Sequence, residues 1–368
     1  MLRKANTLSG TFCIFLPPAA FPIPCHPNRT DSSNMGTIPN ARDLPAGSTN
    51  VPVVFVHDAA IDEFISSMLL SVMPGIDLLG LIVINADCIS DPALEASSRL
   101  LQFIGRSDIP VALSRARGWN AFPWPYRGDC VSFNNLPILA QYKPQVATPP
   151  PDGEQLLTTL LQQAIEKAAP LTLLMTGPMT PLIDVLVHDT SLAKGVGRIL
   201  WMGGAIDVAG NLDPSTTNPA VANTHAEWNA FWDPFSVHDV FKEFAGIHMF
   251  PLDISNSAPV SSEFIASLKQ QGQSFRYSQL AYEAYSLVTG EPFYRLWDVT
   301  ATCWLGRPDL YAPARAMPLT IEQWGFEQGW IHKPLVQGSK NSQNIYFKFA
   351  DLAGFYQYVL TLLATNGS

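Results

Sequence analysis

The stretch "VHDAAIDEF" gathers Asp58, Asp62 and Glu63 within six positions, directly after the apolar run "VPVVFV". Only 14% of the chain is charged, so three carboxylates beside a buried-looking segment need a reason. Polar residues recur in other apolar surroundings. Asp87 closes "INADC", Thr176 follows "LTLLM", and Met202 precedes a glycine pair in "WMGGA". Glu227 and Asn229 sit in the aromatic "AEWNAFWDP", and Asp298 in "LWDVTA". An isolated buried acid is costly, and no Arg or Lys adjoins the first four acids in sequence. Carboxylates joined by a backbone carbonyl form a hard oxygen set, which favours Ca²⁺ or Mg²⁺ over zinc. For Asp62 and Glu63 a plainer use exists, since acids in a first helical turn complement the helix dipole. It does not account for Asp58.

These residues need a scaffold, and the hydrophobic pattern predicts one. Val51–Val56 reads as a strand and Asp62–Val72 as a helix; "IDLLGLIVIN" is a strand, "DPALEASSRLLQFIG" a helix and "IPVAL" a strand. An elaborated loop rich in Pro and aromatic residues spans Ser114–Gly153. Then come a helix "EQLLTTLLQQAIEKA", a strand "LTLLMT", a helix "PLIDVLVH", a strand "GRILWMGG", a helix "DPFSVHDVFKEF" and a strand "IHMFPLD". Short apolar strands alternating with amphipathic helices indicate βαβ units. The expected fold class is α/β, one large domain with an open, mostly parallel sheet flanked by helices. Ligands of such sheets bind beyond the carboxyl ends of the strands, where Asp58, Asp87, Thr176 and Met202 all fall.

Composition narrows the partners. An apolar content of 47% excludes a disordered chain. A net charge of −9 argues against nucleic acid. No apolar run reaches the roughly 18 residues that cross a bilayer, which argues against a membrane protein. Five scattered cysteines without a CxxC pair suit a reducing, cytoplasmic setting. Residues 1–50 differ from the rest: Arg3 and Lys4 precede "TLSGTFCIFLPPAAFPIPC" and a polar stretch. That segment reads as a disordered extension or as a targeting sequence, the latter implying secretion or an organelle. The folded domain is expected over 51–368.

Taken in order, "TGPMTPL", "WMGGA", "AEWNAFWDP" and "LWDVTA" resemble motifs of the inosine-uridine preferring nucleoside hydrolases, with "VHDAAIDE" an imperfect copy of the opening signature. The resemblance runs from about Val51 to the C-terminus. It implies a Rossmann-like nucleoside hydrolase domain, a Ca²⁺ cofactor, a homo-oligomer (dimer or tetramer) and hydrolysis of the N-glycosidic bond of ribonucleosides. By motif, Asp58 would be metal ligand and general base. Glu63, the Thr176 carbonyl and Asp298 would complete the protein's share of the metal shell. Asp62, Glu227, Asn229 and Asn223 (or Asn211) would hold the ribose, with Met202 lining the sugar pocket.

Trp297 stands where one branch of the family carries a histidine acid, and so resembles the purine-preferring inosine-adenosine-guanosine branch. There the base stacks between two aromatic rings, which implies Trp297 and, in "FPWPYR", Tyr126 or Trp124. Asp87 matches an aspartate of that branch near sugar and base. The chain departs from the signature at Val56, Ala59, Ala60 and Glu63. A degenerate member that binds a nucleoside-like ligand without turnover is therefore the alternative reading.

Overall fold

Residue parity along the first strand, β1 (Val51–His57), decides which of two cores each side chain enters. Val53 and Phe55 join one apolar cluster, Val54 and Val56 the other. Alternate side chains of a strand face opposite sides of a sheet, so a continuous β-branched run implies burial on both. A computed structural model describes residues 49–123, 126–212, 222–334 and 341–367.

The chain alternates as its pattern predicts through α1 (Ile61–Val72), β2 (Ile76–Val83), α2 (Ser90–Phe103) and β3 (Val111–Leu113). A short α3 (Asp129–Asn134) precedes α4 (Gly153–Glu166), β4 (Leu171–Met175), α5 (Thr180–His188) and β5 (Val196–Trp201). Next come α6 (Trp228–Trp232), α7 (Pro234–Glu243), β6 (His248–Met249), α8 (Leu252–Ser255), α9 (Ser262–Gln271) and α10 (Arg276–Ser286). The remainder is α11 (Trp297–Trp304), β7 (Arg315–Pro318), β8 (Thr320–Ile321), β9 (Ile331–His332), β10 (Ser342–Ile345) and α12 (Leu352–Leu363).

The main sheet has eight strands in the order β3-β2-β1-β4-β5-β6-β10-β7, parallel except for β7. The chain steps outward from β1 to β3, then restarts on the other side of β1 with β4. Between the carboxyl ends of β1 and β4 the connections diverge to opposite sides, which opens the crevice where such sheets bind ligands.

Three expectations shift. The strand drawn over 247–253 stops at Met249. Phe250 still donates its N–H to the Trp201 carbonyl (2.8 Å), but Pro251 has no N–H to continue the ladder and instead precedes α8. The strand drawn over 197–204 stops at Trp201, and Gly204 turns the backbone at φ +83°. The presumed loop 114–153 contains α3, where Phe133 stacks on Phe64 of α1 (4.0 Å between centroids, 12°). Among the described residues no helix is long and apolar enough to cross a membrane.

Candidate active site

β1 and β4 are in register at Val56 and Met175, and the Thr176 N–H donates to the Val56 carbonyl (3.0 Å). Asp58 and Thr176 therefore leave the sheet side by side at the switch point. A Cβ added to Gly177 would lie 3.2 Å from Asp58 Cγ, so the "TG" pair lets the backbone approach this carboxylate. Asp58 is buried, and its Oδ2 accepts the Asp87 N–H (3.1 Å). Both residues, with Thr176, Met202, Glu227, Asn229 and Asp298, line a cavity of about 630 Å³.

Glu227 caps α6, accepting the N–H groups of Gly204 (2.8 Å) and Asn229 (3.0 Å). Asn229 then donates to the carbonyls of Thr176 (2.8 Å) and Met202 (3.0 Å), binding the ends of β4 and β5 together. Asp298 lies in the first turn of α11. Asp62 sets its position: one carboxylate oxygen accepts the N–H groups of Asp298 (2.7 Å) and Val299 (2.8 Å), the other the Tyr285 hydroxyl.

So many buried acids perturb one another. Burial, then the charge of Glu63, pushes Asp58 well above the usual carboxylate range. Burial followed by the neighbouring carboxylates does the same to Asp87 and Asp298. Burial raises Glu63 and Glu227 to about 7, against the lowering effect of their backbone donors. Asp87 Oδ1 is buried with no hydrogen-bond partner. Asp298, 6% exposed, has no hydrogen bond among the forces acting on its carboxyl, only burial and like charges.

Such an assembly could hold a hard divalent cation through Asp58, Asp298 and the second lone pair of the Thr176 carbonyl. Among the described residues no three His, Cys, Asp or Glu side chains form a ready-made metal cluster. The protein's share would thus be two carboxylates and a carbonyl, with water and substrate as the natural remaining ligands.

The upper wall is aromatic. Trp297 packs on Tyr294 (4.8 Å, 59°), Tyr126 meets Phe293 edge-on (5.9 Å, 76°), and Phe122 leans on Trp228 (4.7 Å, 40°). All six line the cavity, along with Asp129, Glu291 and Arg295.

Residues 53–353 match the profile of the inosine-uridine preferring nucleoside hydrolases. The chain belongs to this family. Among its relatives, the pyrimidine-specific ribonucleoside hydrolase RihA of Shewanella oneidensis is 29% identical over 59% of this chain and 64% of its own length. The chain thus spans a little under two thirds of that relative. The non-specific ribonucleoside hydrolase RihC of Escherichia coli is 23% identical over 85% of this chain and 98% of its own. Of solved structures, an inosine-uridine preferring nucleoside hydrolase from Bacillus anthracis superposes with a TM-score of 0.75 at 28% identity, covering 86% of this chain and 99% of its own.

Within the family framework the structure brings Asp58, Asp87, Tyr126, Thr176, Met202, Glu227, Asn229, Trp297 and Asp298 to one cavity. Three expected contacts need correction. Glu63 is not on the wall: its oxygens accept the N–H groups of Asp58 (3.0 Å) and Ala60 (2.7 Å) and the Thr176 hydroxyl. The extra methylene lets the side chain reach back into its own turn. Asp62 is also off the wall, engaged in capping α11. Asn223 is engaged in its own turn, its Oδ1 accepting from His225 and Ala226 (both 3.1 Å), and of the two alternatives Asn211 is the one on the wall. Trp124 lies outside the described residues.

Sequence reasoning missed Asp129, Glu291, Tyr294 and Arg295. Tyr294 and Arg295 stand just before "LWD", and that proximity was the available signal. Asp129 and Glu291 carried none.

Proposed function

We propose that the chain hydrolyses the N-glycosidic bond of ribonucleosides, purine nucleosides before pyrimidine, as a cytoplasmic homo-oligomer whose catalytic domain is 51–368. The observation that carries this reading is the convergence of Asp58, the Thr176 carbonyl and the unpaired Asp298 carboxylate on one cavity at the switch point.

Ca²⁺ bound by these three groups would orient a water molecule and lower its pKa. Asp58, at the end of β1 beside that site, takes the proton as water attacks the anomeric carbon. The surrounding carboxylates stabilise the positive charge that develops on the sugar. Glu227 and Asn229, locked by the strand ends, position the ribose hydroxyls, and Met202 lies beneath the sugar. Tyr126 and Trp297 sandwich the base, and purines offer them the larger face. The relatives named pyrimidine-specific and non-specific make uridine the necessary comparison substrate.

Calorimetric titration with Ca²⁺, then assays on inosine, guanosine, adenosine and uridine, test the proposal. Ca²⁺-dependent release of base, faster from inosine than from uridine, is expected. Full activity in excess chelator would remove the metal, and equal kcat/KM on the two would remove the purine preference. The withdrawal of Glu63 from the wall favours one alternative, a protein that binds nucleosides without turnover; saturable inosine binding with no base released would establish it.

A further inference from the structure

The cavity mouth carries a second pair of acids, Asp129 at the start of α3 and Glu291 in the loop before Tyr294. Neither has a part in the chemistry described above. Burial and then the charge of Glu291 push the Asp129 carboxyl up to about 7. Glu291, the less buried of the two, is raised by burial alone. The field of Asp129 is felt by Asp87 below it, by Tyr294 on the aromatic wall and by Cys130 behind. Arg295, which lines the same cavity, donates to the carbonyls of Pro292 (2.9 Å) and Tyr294 (3.0 Å).

Two further observations mark this cavity as a ligand site independently of the pair. The Asp298 carboxyl is more than nine-tenths buried and without a hydrogen bond, and Asp87 Oδ1 is buried and unpartnered.

A neutral base departs as an anion unless something protonates it. No histidine or lysine lines the cavity among the described residues. Stacking alone is worth about 0.5–1.5 kcal/mol, only about tenfold in rate, so the leaving group needs a proton donor. We propose that Asp129, paired with Glu291, is the acid that protonates the departing base. This rests on the hydrolase reading given above.

The step balances. The water oxygen bonds to the anomeric carbon and a water proton passes to Asp58. The carbon–nitrogen bond breaks, and its electron pair goes to the base. The Asp129 carboxyl proton goes to a base nitrogen, leaving Asp129 ionised until solvent restores the proton. Glu291 is a positioning residue: its negative charge keeps the proton on Asp129 near neutrality.

The test compares inosine with 4-nitrophenyl riboside, whose leaving group needs no proton. Asp129→Asn should lower the ratio of kcat on inosine to kcat on the nitrophenyl riboside about 100-fold. In the unmutated protein kcat on inosine should fall as pH rises through about 7, the value to which Asp129 is pushed, and Glu291→Gln should move that limb to lower pH. Glu291 is on a partly exposed loop, so this second variant decides the matter if Asp129→Asn fails to fold. An unchanged ratio, or a limb that Glu291→Gln leaves in place, overturns the inference while the hydrolase reading stands. Cleavage of neither substrate overturns both.

Discussion

The floor of the cavity and its mouth are built from different material. Asp58 and Thr176 extend from paired central strands, and Glu227 and Asn229 are tied to the ends of β4 and β5 by hydrogen bonds to the backbone. The mouth takes its rings and acids from segments outside the sheet: Phe122 and Tyr126 before α3, Asp129 at its start, residues 291–295 between α10 and α11, and Trp297 at the start of α11. Sheet ends hold geometry to fractions of an ångström, as bond-making requires, whereas loops can vary without disturbing the core. Under the proposed function, bond breaking would depend on the strand ends, while the choice of base and its protonation would depend on the segments around the mouth. Mutations at the two levels should have distinct signatures.

The largest effect is expected at the floor. Asp58→Ala should lower kcat/KM on the best nucleoside by about 10³-fold, within the range for losing a general base, with the circular dichroism spectrum unchanged. Retention of more than a tenth of the activity would move the base elsewhere. Asp62→Ala tests the layer below. It leaves two helix N–H groups and the Tyr285 hydroxyl without their acceptor, at a cost of about 3 kcal/mol of stability. Denaturant unfolding should show this, and a loss below about 0.5 kcal/mol would make the cap dispensable.

The buried acids also predict a pH dependence. Glu63 and Glu227 rise from 4.5 in the unfolded reference to about 7 when folded, so between these values the metal-free folded state binds more protons. The stability contributed by these groups is full below about 4.5 and is lost as pH rises through about 7. Metal-free protein should therefore melt lower at pH 8 than at pH 5, and added Ca²⁺ should raise Tm more at pH 8. A Tm that increases across that range without metal would contradict the assignment.

At the mouth, Trp297→Ala should depress kcat on inosine by about tenfold while KM changes little, if the contact tightens in the transition state. A purely structural tryptophan would instead lower Tm and affect inosine and uridine alike. The smallest effect is expected in the 58–60 turn. Ala59 sits at φ +66°, a left-handed conformation that costs a residue with a Cβ roughly 1–2 kcal/mol and glycine little. Ala59→Gly should stabilise by less than about 1 kcal/mol, because glycine's extra freedom in the unfolded chain offsets part of the relief. A destabilisation would show that the turn needs the alanine methyl.

The order of strands and helices was legible wherever apolar residues recur at a period of two or near four, as in "VPVVFV" and "EQLLTTLLQQAIEKA". Boundaries failed where one residue changed the backbone rules, at Pro251 and Gly204. In the site, the residues that follow strand ends were legible from position alone, since a parallel sheet sends its strand ends to one side. Asp129 and Glu291 were not, because they are 162 positions apart in sequence and become neighbours only when their loops fold over the same cavity.

Sequence alone determined the parallel α/β architecture, the family and the set of acids around the strand ends, because these depend on local periodicity and short motifs. Only the tertiary structure divided those acids by role. Asp58 and Asp298 face the cavity, while Asp62 and Glu63, adjacent in the chain, turn into backbone caps. A carboxylate goes where unsatisfied N–H groups await it, and the positions of those groups (the start of α11, the turn after β1) exist only once the chain has folded.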